Sequence, residues 1–264
     1  MSKSPFGYLL IACSGLIVAF VLAPIVTLVW MSFNDGGTQS FPITGYSLKW
    51  YASAFHNEDY ATGLANSLTI AAIVAPLATA LALFSAHFLV RRPPRQPALY
   101  VLAISLPALI PVVLSGLALL MFYQQIHLDG TIWAIVAAHV CYASPFALAL
   151  IRNAYENLNP ELEAAARDLG AGPLRILFRI TLPQLWPSLL SAAAICFLLS
   201  WDEFTLAWFV GGFVKTLPTV IYGQLGRSFN PSINAVGAMA FLGSSAILAI
   251  ALTLRQWFLK RQRT

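Results

Sequence analysis

The sequence predicts an all-α membrane protein with six transmembrane helices. Three observations predict it. Hydrophobic residues make up 59% of the 264 and charged residues only 9%, with a mean hydropathy of +0.75. A soluble domain carries about 25% charged residues, so this chain has too few to cover a water-facing surface. Six apolar stretches, at residues 8–33, 64–90, 98–123, 131–151, 184–210 and 233–259, match the roughly 20 residues a helix needs to cross about 30 Å of hydrocarbon. Finally, 12 of the 15 Lys and Arg fall on alternate connections between these stretches. Disorder is excluded, because it needs low hydrophobicity and high net charge. The 16 Gly and 3 Cys rule out collagen-like and disulfide-scaffold classes.

The first span follows Lys3, but its apolar run exceeds the 7–15 residues of a signal core and no A-x-A site follows. It reads as a permanent anchor. The outer loop 34–63 sets Trp50, Tyr51, Phe55 and Tyr60 among polar residues, a mixture that suits either an interfacial aromatic belt or a protein contact. Pro24, Pro76, Pro107, Pro111, Pro145 and Pro187 lie inside spans. Each removes a backbone donor and tends to kink its helix, and the freed carbonyls must be satisfied by neighbouring helices or internal water.

Cys13, Cys141 and Cys196 sit in apolar runs without a C-x-x-C pair, and are expected to be buried thiols acting as small hydrophobes. His56, His87, His127 and His139 are scattered without metal-ligand spacing. His87 and His139, inside spans, are expected to pack or hydrogen-bond.

Lys3, Arg91, Arg92, Arg95, Arg152, Arg167, Arg175, Arg179, Arg255, Lys260, Arg261 and Arg263 share one side, against Lys49, Lys215 and Arg227 on the other. The positive-inside rule makes the first side cytoplasmic and puts both termini there. The net charge of +5 is therefore a topology signal, and no nucleic-acid surface is expected.

The connection 152–183 is the longest inner segment. Asn159 suits an N-cap and Pro160 the first helical position. Glu161 and Glu163 fall in the first turn, where the helix dipole favours anions. Ala164, Ala165 and Ala166 are strong helix formers of little bulk, Arg167 and Asp168 follow, and Gly170 can take the left-handed conformation that ends the helix. After Ala171 and Gly172, Pro173 is expected to open a second helix through Ile180, and Pro183 to open the next span. The product is a short helix, a Gly turn and a second helix, with a small-residue surface that another protein can approach closely.

Asp202 and Glu203 are the only acids inside a predicted span. A charge at the centre of a membrane helix costs about 2.5–3.5 kcal/mol on insertion scales, so both should face a cavity, a partner charge or a partner subunit. Trp201, Phe204 and Trp208 fall on a single helical face at i, i+3 and i+7, and Thr205 shares the side of Asp202. Carboxylates beside aromatic rings suit an ammonium group. Pairing with Lys215 or Arg227, or holding an interface to another membrane subunit, is the structural alternative.

The loop resembles the cytoplasmic signature of the membrane-spanning subunits of bacterial ABC importers, E-A-A-x-x-x-G-x(9)-I-x-L-P. Ala165, Ala166, Gly170, Ile180, Leu182 and Pro183 occupy its positions with the right spacing. The departure is Ala164 at the pattern's Glu, with Glu163 one residue earlier. Tyr46–Tyr51 and Asn66–Ala71, then Ser200–Phe204, Thr216–Pro218 and Asn230–Ala235, are similar to the spermidine/putrescine permease subfamily.

The resemblance implies a type I importer permease with a cytoplasmic coupling helix, the whole chain 1–264 forming one transmembrane domain in the bacterial inner membrane. It implies two ATPase subunits, a second permease subunit (a paralogue) and a periplasmic substrate-binding protein as partners. Residues Glu163 to Ala171 would enter a groove on an ATPase subunit, with Glu163 standing in for the missing Glu. Asp202, Glu203, Trp201, Thr205 and Trp208 would line the substrate path. ATP and Mg would be bound by the partners and no cofactor by this chain, which has no G-x-x-x-x-G-K-[ST] loop. The expected substrate is a polyamine. Another small solute (an aminophosphonate, an opine-like compound or an amino-acid derivative) is the alternative within the class, and an ATP-independent channel or carrier the alternative outside it.

Overall fold

A computed structural model describes residues 5–37, 43, 45–226 and 231–261. Lys3, Arg227, Asn230 and Arg263 lie outside the described residues. Among the described residues there is no β-strand; one isolated bridge joins Asn34 and Tyr46. The helices are α1 (Pro5–Met31), α2 (Lys49–Phe55), α3 (Glu58–Arg91), α4 (Pro97–Leu109), α5 (Val112–Gln125), α6 (Ile132–Glu156), α7 (Pro160–Asp168), α8 (Pro173–Ile176), α9 (Leu182–Asp202), α10 (Thr205–Val210), α11 (Leu217–Leu225) and α12 (Ser232–Arg261), with a π-helical turn at Leu177–Thr181.

Among the described residues five segments are long and apolar enough to cross a membrane: Gly7–Met31, Glu58–Arg91, Ile132–Glu156, Pro173–Asp202 and Ser232–Gln256; the bent pair α4–α5 makes a sixth when taken as one span. The chain divides into two compact units, residues 1–61 with 220–243 and residues 62–219 with 244–264. In the first unit α1 is apolar on all sides and largely exposed, which a helix sustains only against lipid or protein. The segment that follows α1 is tied by Trp50 Nε1 donating to Asn34 O at 2.7 Å and by the Ser32 and Tyr51 hydroxyls at 2.6 Å.

The second unit is built around α6 and α9. Ala134, Ala138, Ala143 and Ala147 on α6 and Ala192 on α9 are all but inaccessible. Small residues let membrane helices approach closely, and polar side chains then bond across the gap. His139 Nδ1 lies 2.9 Å from Ser200 Oγ, and the Cys196 thiol donates to Ala143 O at 3.7 Å. On the other side of α6, His87 Nδ1 on α3 meets the Tyr155 hydroxyl at 2.7 Å. Both intraspan histidines thus hydrogen-bond, as expected. α10 packs so tightly on α5 that a Cβ added to Gly116 would stand 2.7 Å from Phe209 Cδ2.

Three expectations need correction. The third span is not one helix: α4 and α5 meet at 96°. Pro111 bars its predecessor from the α region, and Ile110 is extended at φ −77°, ψ 137°. The fifth span does not begin at Pro183 or continue to residue 210. The helix runs from Pro173 through the π turn to Asp202. There the Leu182 N–H reaches back to Leu177 O, and Gln184 Nε2 donates to Ile180 O at 2.8 Å, so Pro183 passes without a break. Glu203 is extended at ψ 110°, and α10 starts anew. Finally, Cys196 is buried but Cys13 and Cys141 are exposed. In spans apolar on every side, hydropathy does not separate an inward face from a lipid-facing one.

Candidate functional site

Two sites stand in the second unit, and the helix breaks position both. At the C-terminal end of α9 a cavity of about 330 Å³ is lined by Tyr142, Ile195, Leu198, Leu199, Asp202 and Glu203. Asp202 is exposed there. Glu203 is engaged: its Oε1 accepts the Leu206 N–H at 3.0 Å, satisfying one of the N–H groups left open at the start of α10.

Since α9 ends at Asp202, the single face expected for Trp201, Phe204 and Trp208 does not exist. Trp201 is buried and stacks on Phe197, with centroids 6.4 Å apart at 12°. Half-exposed Trp208 pairs with Phe204 at 5.6 Å, and neither Trp nor Thr205 lines the cavity. The ring beside the acids is Tyr142 on α6, which sequence reading passed over. Its only signal was a hydroxyl in an apolar span, three residues after His139.

The second site is α7. The Asn159 side chain accepts the Glu161 N–H at 2.9 Å, capping the helix as its sequence predicts. Gly170 takes φ +79°, and the Ala171 N–H returns to Ala166 O at 2.9 Å, closing the helix in the left-handed turn. Ala164, Ala165, Arg167, Asp168 and Gly170 are exposed, and Ala166 and Ala171 partly so.

Glu163 does the opposite. It is the buried residue of α7, and it points at α3 rather than along the exposed face where it was expected to replace the missing Glu. Arg91 Nη2 donates to Glu163 Oε1 at 2.9 Å. Arg91 Nε lies 2.8 Å from Oε2, close enough for ion pairing though its N–H is off line. Thr181 Oγ1 donates to the same Oε1 at 2.9 Å. The guanidinium also lies over the Tyr155 ring, 5.0 Å from its centroid. Burial alone would raise the Glu163 carboxyl; the bonds from Arg91 and Thr181 and the charges of Arg91 and Arg167 outweigh it and hold the group below its ordinary value. In the sequence Arg91 counted only as a topology charge.

Residues 78–264 match the family described as the binding-protein-dependent transport system inner membrane component. The chain belongs to that family.

This permease is 33% identical over 240 residues to the putrescine transport system permease protein PotI of Escherichia coli K12, covering 87% of this chain and 84% of PotI. It is 28% identical over 264 residues to the spermidine/putrescine transport system permease protein PotC homolog of Mycoplasma genitalium, covering 94% and 90%. Its fold is shared with a bacterial ABC transporter involved in the import of the acidic polysaccharide alginate, at TM-score 0.74 and 18% identity over 96% of this chain and 98% of that one. The MetNI methionine ABC transporter shares it at TM-score 0.64 and 20% identity, over 74% and 94%. The permease is thus a multi-pass inner-membrane subunit of an ABC importer with the type I six-helix architecture. It is a transport subunit, and ATP hydrolysis belongs to a separate one.

Proposed function

We propose that this permease carries polyamines, of the putrescine and spermidine class, into the cytoplasm. The observation that carries the reading is Asp202, exposed on the wall of a cavity it shares with the Tyr142 ring. A carboxylate next to an aromatic face attracts an ammonium group by charge and by cation–π attraction. The names of PotI and PotC support the same class.

The complex we infer holds this chain as one transmembrane domain over 1–264, a paralogous second permease, a periplasmic substrate-binding protein and two ATPase subunits that bind ATP and Mg. The excess of Lys and Arg on one side supports cytoplasmic termini and a cytoplasmic α7. The exposed residues Ala164, Ala165, Arg167, Asp168 and Gly170, with Ala166 and Ala171, then form the face that meets an ATPase subunit. Trp201, Thr205 and Trp208 are left with supporting roles around the path.

The test is uptake of labelled putrescine and spermidine into proteoliposomes holding the full complex. ATP- and binding-protein-dependent uptake, competed by other polyamines but not by neutral amino acids, is expected. Uptake of a neutral solute with no polyamine uptake would reject the substrate class. Uptake without ATP would reject the importer.

A further inference from the structure

α7 is packed inside out. Among its nine residues Leu162 is 48% exposed, and Leu169, which follows as its C-cap, is 89% exposed. The residue it buries is a carboxylate, Glu163. Short helices are marginal by themselves, and apolar burial is the usual way one is held on a protein. Here that contact is replaced by directional bonds. Glu163 receives Arg91 from the last position of α3 and Thr181 from the π turn that leads into α9. Tyr155 of α6 backs the guanidinium, and its hydroxyl bonds His87 one turn earlier on α3. One carboxylate therefore ties α7 to the ends of two spans, with a third span behind.

We propose that Glu163 is a positioning residue for transport: with Arg91 and Thr181 it clamps α7 to α3 and α9, so that a displacement of α7 moves both spans together. This rests on the reading that α7 docks on an ATPase subunit. Apolar contacts let one surface slide over another, whereas a buried ion pair with an added hydroxyl donor holds one geometry, because leaving a member unpaired is unfavourable. The inversion also leaves Leu162 and Leu169 outward for a partner, a division of labour that an apolar anchor would forbid.

The assay uses the reconstituted complex, normalised to assembled particles, and reads solute transported per ATP hydrolysed. Glu163→Gln keeps size and hydrogen-bonding capacity but removes the charge. It should keep ATP hydrolysis within about twofold while transport per ATP falls roughly fivefold, inside the two- to thirtyfold range typical of coupling residues. Thr181→Val should give a smaller loss of the same kind. The exchange Arg91→Glu with Glu163→Arg should recover at least about half of the ratio, which a packing role would not.

If Glu163→Gln fails to assemble, Thr181→Val decides: a parental ratio in that variant overturns the clamp. An Ala165→Cys cross-link to the ATPase subunit separates the two readings. No cross-link in the otherwise parental complex overturns docking and the clamp together. A cross-link that survives in Glu163→Gln, with transport per ATP at the parental ratio, overturns the clamp alone.

Discussion

His139 on α6 and Ser200 on α9 face each other across a buried interface, the ring Nδ1 2.9 Å from the hydroxyl. Across a helix pair inside the membrane such a bond contributes about 0.6–2 kcal/mol. Ser200→Ala should therefore lower the melting temperature of the purified complex. His139→Leu should cost less than Ser200→Ala if packing fills the gap, because it removes a buried polar ring instead of stranding one. Equal melting curves for Ser200→Ala and the parent would show that the bond contributes nothing.

The two neighbouring acids should separate cleanly. Asp202→Asn should reduce uptake per complex and leave assembly intact, since its carboxylate faces the cavity. Glu203→Gln weakens the acceptor of the Leu206 N–H without removing it, and its larger effect should be on stability, by less than the ~1 kcal/mol typical of losing a cap outright. Uptake assays and thermal unfolding on the same preparations give both readouts. Equal effects on uptake would mean that both acids meet the solute.

Gly170 is required for its backbone and not for its size. No atom lies within 4 Å of where its Cβ would stand, but φ is +79°. Val at that angle is a genuine outlier and costs about 1–3 kcal/mol. Gly170→Val should leave the spans inserted and abolish substrate-stimulated ATP hydrolysis, whereas Gly170→Asn, which tolerates the left-handed region, should retain most of it. If both variants fail alike, the space around Gly170 is occupied in the complex and bulk is what matters.

Gly116→Ala should destabilise α5 against α10, because the new methyl would stand 2.7 Å from Phe209 Cδ2 and 3.3 Å from its Cβ. Overpacking of this kind costs about 1–3 kcal/mol. Phe209→Leu in the same chain should restore most of the loss in thermal stability. A double variant no better than the single one would place the strain elsewhere.

Acid should open the Glu163 clamp. The folded carboxyl lies below its ordinary value of about 4.5. Its contribution is therefore complete above that value and lost as pH falls through the lower, folded one. Thermal stability should be indifferent to this group between pH 7 and about 5 and decline further down. Glu163→Gln should flatten that acid limb, which a pH series of melting curves reads directly.

What the sequence conveyed well was everything set by local chemistry. Asn159, Pro160 and Gly170 bound α7 to within a residue because caps and left-handed turns are one-residue decisions. The span count was legible because hydropathy is a sum over about 20 positions. Two things were hidden. Whether a proline bends a helix or is absorbed depends on backbone groups nearby: Pro111 breaks its span at 96°, while a π turn carries the chain through Pro183. And Arg91 and Tyr142 have functional neighbours 72 and about 60 positions away along the chain, pairings that no window of sequence contains.

The π turn at Leu177–Thr181 also takes up one residue of chain length. A π-helical turn takes up one residue more than an α-helical turn does. Deleting one residue there would therefore yield a regular α-helical turn with its flanks in nearly the same rotational register, whereas deleting one from α8 would rotate α7 by about 100° relative to Thr181. Glu163 would swing away from Thr181 although every side chain was still present. The π turn can therefore shed its extra residue, whereas the six residues between Gly170 and Leu177 are the length that holds Glu163 over Thr181.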